Sequence, residues 1–322
     1  MTAATISSFI PISVSTLVPS LATGLNLFLP SEDHDRLTLY RGDEYPLSDQ
    51  DVAKLRDRGV TSLFIQQQDR ERYQSYLREL AFESSDDEAV STAVRAQALS
   101  AVVRDILAEA FDRQDTNTVV AAATQLGAFT AEIICEDSFA AKDMSRVLSH
   151  DYATFTHSTN VAMYAGILAK ELGYNQTEIQ QITTGGLLHD LGKLEIDDRI
   201  LCKPGRLDEA EFREVKRHSL LGFLQLAHRD DLTEGQLMMV YQHHERCDGG
   251  GYPVGLVDAE IHPWAKLCTV VDVFEALTSH RPYRTPMPKL RALELLQRDS
   301  GKAFEPEVLA CWVEITRNCW HD

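Results

Sequence analysis

His189 and Asp190 stand side by side at the end of the apolar run Gly185-Gly186-Leu187-Leu188, and Lys193 follows three residues later. A carboxylate has two oxygens, so Asp190 could bridge two metal ions, while a neutral imidazole at His189 could bind one of them. In a helix, residues three apart share a face and neighbours diverge by about 100°. On that geometry Asp190 and Lys193 point one way and His189 splays aside. A His-Asp dipeptide alone is a weak signal: His150-Asp151 is another in this chain and reads as ordinary surface chemistry. The company of the first pair is what strengthens it. His157 lies upstream, and His218, His243-His244 and Asp272 lie downstream. His157 or His218 alone reads more readily as a core or capping histidine. Asp272 sits within Val270-Val271-Asp272-Val273-Phe274, where a buried carboxylate needs a metal or a cation. The paired histidines precede the tight stretch Asp248-Gly249-Gly250-Gly251-Tyr252-Pro253. As a set, the five histidines and two aspartates point to metal. His34, His150, His228, His262, His280 and His321 read as solvated or structural.

This series resembles the HD-GYP family, a branch of the HD superfamily of metal-dependent phosphohydrolases. The likeness runs from about Asp151 to about Val308. It includes both signatures that name the family: His189-Asp190 with Gly192-Lys193, and Gly251-Tyr252-Pro253 after the paired histidines. The resemblance implies a binuclear site. One metal would take His157, His189, Asp190 and Asp272; the other would take Asp190, His218, His243 and His244. It further implies a phosphodiesterase that hydrolyses cyclic di-GMP to linear pGpG, with GMP as a further product left open, through a hydroxide shared by the metals. Lys193 falls where the family places a lysine that stabilises charge growing in the transition state. Gly251, Tyr252 and Pro253, with Arg281 and Arg284, fall at substrate-contacting positions. Arg284 stands where lysine is usual, which keeps the charge and changes its geometry. For Gly249 and Gly250 a purely structural turn is the preferred reading.

Two departures from the family pattern matter. Glu275 replaces an aspartate common three residues after the Asp272 position, a mild change. Ala153 stands where members with a third metal carry a glutamate, so two metals are expected here. A histidine-rich, carboxylate-bridged site suits iron or manganese, although affinity order alone does not choose between these and zinc or nickel. Two other functions fit many of the same residues. One is an HD phosphohydrolase acting on another nucleotide, which the Gly251-Tyr252-Pro253 signature speaks against. The other is a catalytically weak receptor that binds the dinucleotide and signals through protein contacts, which the complete ligand set disfavours.

The elements that position these residues divide the chain in three. Residues 1–82 read as a small mixed α/β domain, either regulatory or a packing and dimerisation module. Strands are expected around Ile12 to Thr16, Leu25 to Leu29, Leu37 to Tyr40 and Thr61 to Ile65, with helices after Ser48 and Asp69. Residues 83–150 read as a helical linker region, with helices from Thr92 to Phe111, Asp115 to Cys135 and Phe139 to Leu148. Residues 151–322 read as an all-helical bundle whose ligands project inward from five segments. Within it, Asp208 and Glu211 form a capping box for one helix carrying Phe212, Val215, His218 and Phe223.

At 322 residues, two cores can be buried. The net charge of −18 argues against general DNA or RNA binding, which needs basic surface. The six cysteines show no CxxC spacing, which suggests free thiols in a reducing cytoplasm. No apolar run reads as long enough to span a bilayer, and no basic residues precede the apolar stretch from Phe9 to Val18 as a signal peptide would require. Pairing with a second copy or with a signalling protein is left open.

Overall fold

In the computed structural model the described residues are 8–19, 23–31, 36–82, 94–95, 98–103, 105–106, 115–135, 154–203, 205–279 and 285–319. The chain is mainly helical and divides into two units, Met1–Asp105 and Ile106–Asp322.

The first unit holds a four-stranded antiparallel sheet. Its strands are β1 (Phe9–Ser13), β2 (Leu27–Pro30), β3 (Leu37–Arg41) and β4 (Ser62–Gln66), in the order β1-β4-β2-β3. Leu63 and Ile65 of β4 alternate into the core with Leu27, Leu77 and Leu80. The alternation that predicts a strand through Thr16 runs past the real one. Val14–Thr16 is a 3-10 turn, because the Thr16 hydroxyl donates to Ser13 O (2.8 Å) and also meets the Tyr73 hydroxyl (2.8 Å). Helix α1 (Asp49–Asp57) starts at Ser48, whose side chain accepts from Asp51 N (3.2 Å), and Gly59 at φ +70° follows its end. Helix α2 (Arg70–Phe82) follows β4, and its Arg70 donates to Asp105 Oδ1 (2.7 Å). The helix expected from Thr92 to Phe111 is seen only in its described residues. The one expected from Phe139 to Leu148 lies outside the described residues.

The second unit is a helical bundle built on α5 (Gln176–Leu188), which packs against α3 (Thr116–Cys135), α4 (Thr154–Glu171) and α9 (Glu234–Gln242). Then come α6 (Asp198–Leu201), α7 (Glu209–Lys216), α8 (His218–Leu226), α10 (Pro263–Thr278), α11 (Lys289–Arg298) and α12 (Pro306–Cys319). Sequence-local capping sets several starts. Asn175 with Glu178, Asp208 with Glu211, and Thr233 with Gln236 form capping boxes. His262 caps α10 through Nδ1, which accepts from Trp264 N (3.1 Å), and Pro263 occupies the first turn. Tyr164, Phe274 and Trp312 pack edge to face at 5.1–5.8 Å and lock α4, α10 and α12 together.

Two expectations are corrected here. The single helix through Phe212 and His218 is broken in two. Arg217 bonds back to Glu214 O (3.0 Å) and the His218 ring takes Val215 O (2.7 Å), so α7 ends and α8 begins at His218. Helix α3, with 20 residues and a mean hydropathy of 1.4, is long and apolar enough to cross a membrane by length and composition. It packs on α4 and α5, and Val119, Val120, Ala123, Leu126 and Ile133 are buried there.

Candidate metal centre

Five elements converge on one buried cluster. Helix α4 supplies His157 near its start. The C-cap of α5 is His189, and Asp190 begins the 3-10 turn Leu191–Glu195 that carries Lys193. Helix α8 opens with His218, α9 ends at its C-cap His243 followed by His244, and α10 presents Asp272. Every one of these ligand candidates is buried except His244, which is half-buried. Gly192 makes the convergence sterically feasible. A Cβ there would lie 2.0 Å from His218 O and 2.4 Å from Gly222 N, so only glycine lets α8 approach the Asp190 turn.

The cluster has two halves that share Asp190. Its Oδ2 lies 3.5 Å from Nε2 of His157 and 3.5 Å from Nε2 of His189. Its Oδ1 lies 3.4 Å from His218 Nε2 and 3.9 Å from His243 Nε2. Asp272 Oδ1 completes the first half, 3.1 Å from His157 and 4.0 Å from His189. The donor atoms of His157, His189 and Asp272 lie within 4.8 Å of one another, as do those of Asp190, His218, His243 and His244. Asp272 Oδ2 is 3.9 Å from His244 Nδ1.

The residues fit a pair of divalent cations by a test internal to the structure. His189 donates Nδ1–H to Gly186 O (2.7 Å), His218 to Val215 O (2.7 Å), and His243 to Met239 O and Val240 O (both 3.0 Å). Each neutral ring therefore points its Nε2 lone pair into the cluster. Lone pairs of His218 and His243 face each other at 3.2 Å, which is repulsive without a cation between them. His189 Nε2 and Asp190 Oδ1 are buried and make no hydrogen bond. Protonation does not offer the remedy. Burial pushes His218 down to about 4, with Asp190 opposing, and pushes His243 well below its usual range. Burial also takes His244 down to about 3 against Asp272. Burial opposes ionisation of Asp190, but Lys193 and the surrounding histidines hold it well below the ordinary carboxylate range.

His157 behaves differently. Burial pushes it down, yet Glu275 and Asp272 raise it to about 9. Its Nδ1 meets Glu275 Oε2 at 2.5 Å, and the same carboxylate accepts from Asn160 Nδ2 (3.0 Å) and Ser279 Oγ (2.5 Å). Sequence reasoning noted Glu275 only as a mild replacement. Its spacing of three from Asp272 on one helix was the available signal for a carboxylate that orients a ligand imidazole. Glu245 was missed altogether. It is buried and gathers the glycine-rich loop, accepting from Val254 N (2.7 Å), Gly255 N (3.0 Å) and Leu256 N (3.0 Å).

That loop turns back onto the cluster. Gly251 lies against the backbone of Glu245 and Arg246, where a Cβ would come within 2.5 Å. Tyr252 N donates to His244 O (3.1 Å), and the Tyr252 ring stacks on the His244 ring at 4.7 Å. Tyr252-Pro253 is cis. Lys193 Nζ donates to Asp190 Oδ2, so the lysine sits on the bridging carboxylate. Arg281, Arg284, Ala153 and the His150-Asp151 pair lie outside the described residues.

Comparison with known proteins follows the same residues. A family model described as "HD domain" matches residues 131–308. Over 168 residues the chain is 36% identical to a cyclic di-GMP phosphodiesterase of Thermotoga maritima, covering 52% of this chain and 46% of that protein. It is 37% identical over 157 residues to the 3'3'-cGAMP-specific phosphodiesterase 3 of Vibrio cholerae, covering 49% and 34%. It is 37% identical over 157 residues to the cyclic di-GMP phosphodiesterase response regulator RpfG of Xanthomonas campestris, covering 48% and 42%. The chain thus spans less than half the length of each of these relatives. An HDG"Y"P protein from Bdellovibrio bacteriovorus shares the fold, with a TM-score of 0.72 at 20% identity over 96% of this chain and 99% of that one.

Proposed function

We propose, of a chain that belongs to the HD domain family and to its HD-GYP branch, that it is a metal-dependent phosphodiesterase that opens a cyclic dinucleotide. The observation that carries the reading is the division of Asp190. One oxygen faces His157 and His189, and the other faces His218 and His243. A bridging carboxylate between two imidazole-rich halves suits two cations of the iron or manganese type. Bound there, such cations would polarise a phosphodiester and acidify water.

The protein's own residues supply the rest. His189, His218 and His243 hold Nε2 free of protons by donating Nδ1–H to main-chain carbonyls. His157, His189 and Asp272 would hold one cation, and His218, His243 and His244 would hold the other, with Asp190 common to both. Lys193, already on Asp190, keeps a positive charge beside the reacting phosphate. Tyr252, fixed on His244 by stacking, shapes the wall against which the substrate lies. Gly251 and Pro253 hold that tyrosine in place, and Arg281 and Arg284 are further cations proposed for substrate phosphates.

Cyclic di-GMP is the proposed substrate and pGpG the product. 3'3'-cGAMP is the second substrate to try, since relatives named for each match this chain about equally well. The cytoplasm is the proposed setting, consistent with the free thiols of Cys135, Cys202, Cys247, Cys268 and Cys311. Residues 151–322 are proposed as the catalytic domain and 1–82 as an input or pairing module.

The test is turnover of cyclic di-GMP by protein loaded with iron or manganese without oxygen, with products separated by chromatography. His189→Ala combined with Asp190→Ala is the control. Conversion to pGpG that the double variant abolishes supports the reading. Absence of turnover with two metals bound per chain overturns it for cyclic di-GMP and turns attention to 3'3'-cGAMP and then to a receptor role.

A further inference from the structure

Lys216 is the last residue of α7, two residues before His218. Its ammonium lies over two aromatic faces, 4.7 Å from the Phe212 ring centre and 5.5 Å from the Tyr252 ring centre. Tyr252 in turn stacks on His244, so Lys216 stands one ring away from the metal cluster. Two nearby cations are paired: Lys203 with Glu211 (2.6 Å) and Arg217 with Glu214 (2.7 Å). Among the described residues no carboxylate lies within ion-pair distance of Lys216. In a chain of net charge −18, a lysine so placed is open to an incoming anion. A helix-terminal lysine also suits the helix dipole, but the dipole does not require an ammonium held between two rings at the rim of a site. Phe212 is itself 47% exposed, so the ammonium it supports stays open to solvent.

We propose that Lys216, held by Phe212 and Tyr252, binds the phosphodiester of the substrate that is not being cut. A cyclic dinucleotide carries two phosphodiesters in one ring, and the metal cluster with Lys193 engages only one. This rests on the function proposed above. The experiment compares Lys216→Met, Lys216→Arg and Phe212→Ala in the full-length, metal-loaded protein, with cyclic di-GMP as the substrate and metal content measured on each variant.

Loss of one charge-assisted hydrogen bond raises KM about tenfold in Lys216→Met with kcat within about threefold. Lys216→Arg recovers most of that loss, and Phe212→Ala shows a smaller rise because the ammonium loses one of its two supports. A KM in Lys216→Met within about twofold of the parent, with two metals bound and turnover intact, overturns this inference and leaves the function standing. A parent protein that neither cleaves nor binds cyclic di-GMP overturns the function itself, and the role of Lys216 with it.

Discussion

Among the candidate ligand histidines, His157 is the one that would meet a metal carrying a proton. Its ring lies between Asp272 and Glu275, and together they hold its pKa at about 9, above the ordinary value of about 6.5. The raised pKa means the metal-free site keeps that proton at neutral pH, and a metal arriving at Nε2 must displace it. Metal uptake near pH 7 is therefore expected to release about one proton per chain at this position. The release fades as pH rises through about 9, so affinity climbs with pH up to that point and then levels. Calorimetric titration of metal into stripped protein, in two buffers of different ionisation enthalpy, reads the count; zero at pH 7 would refute the assignment. Glu275 carries a second expectation. Glu275→Gln keeps the shape but weakens the acceptor for His157 Nδ1–H, and metal affinity should fall by about 10–100-fold, measured by competition with a chelator. The residues that converge on the cluster were legible because few histidines and aspartates occur in such apolar surroundings. The main-chain carbonyls that fix the tautomers of His189, His218 and His243 were not, since every residue carries a carbonyl and no side chain marks which will be used.

The elements act by bringing five chain segments to one point, and Gly192 shows how little room they have. Gly192→Ala would place a methyl 2.0 Å from His218 O, and main chain cannot yield as a flexible side chain does. Helix α8 must retreat, taking His218 away from Asp190. The expected result is a stability loss of about 1–3 kcal/mol by urea denaturation, together with loss of metal from the half that His218 shares. Glu245 tests the loop in the same way. Glu245→Ala leaves the N–H groups of Val254, Gly255 and Leu256 without their common acceptor. The loop holding Tyr252 should then loosen, seen as faster amide exchange confined to that stretch. Helix starts such as those of α1 and α7 were legible because Ser48 and Asp208 announce them in the local sequence. The break between α7 and α8 was not, because it depends on a histidine ring capping Val215 O, and the pattern of apolar residues continues through it unbroken.

At the scale of the whole molecule, the candidate metal cluster lies in one of the two units, Ile106–Asp322. The antiparallel sheet lies in the other, Met1–Asp105. The strands of that sheet could be located from alternation, but their order β1-β4-β2-β3 could not, because pairing between distant segments leaves no local mark. The buried carboxylates Asp190, Asp272 and Glu275 face rings that are mostly neutral, so the metal-free bundle keeps like charges close together. Cations bind this arrangement only when all five elements are in place, and binding is therefore folding free energy. At a free metal concentration of about one hundred times Kd, each ion adds about 2.7 kcal/mol. For a unit of this size, chelation should lower its Tm by about 5–10 °C per ion. The effect should stay with the helical unit. In a calorimetric scan, the chelator should shift the transition that reports on the bundle, while any transition belonging to the sheet holds its position. A shift of the sheet's transition by the same amount would mean that the two units melt as one. The N-terminal unit would then sense metal occupancy through the stability of the whole chain, a coupling absent if each unit unfolds by itself.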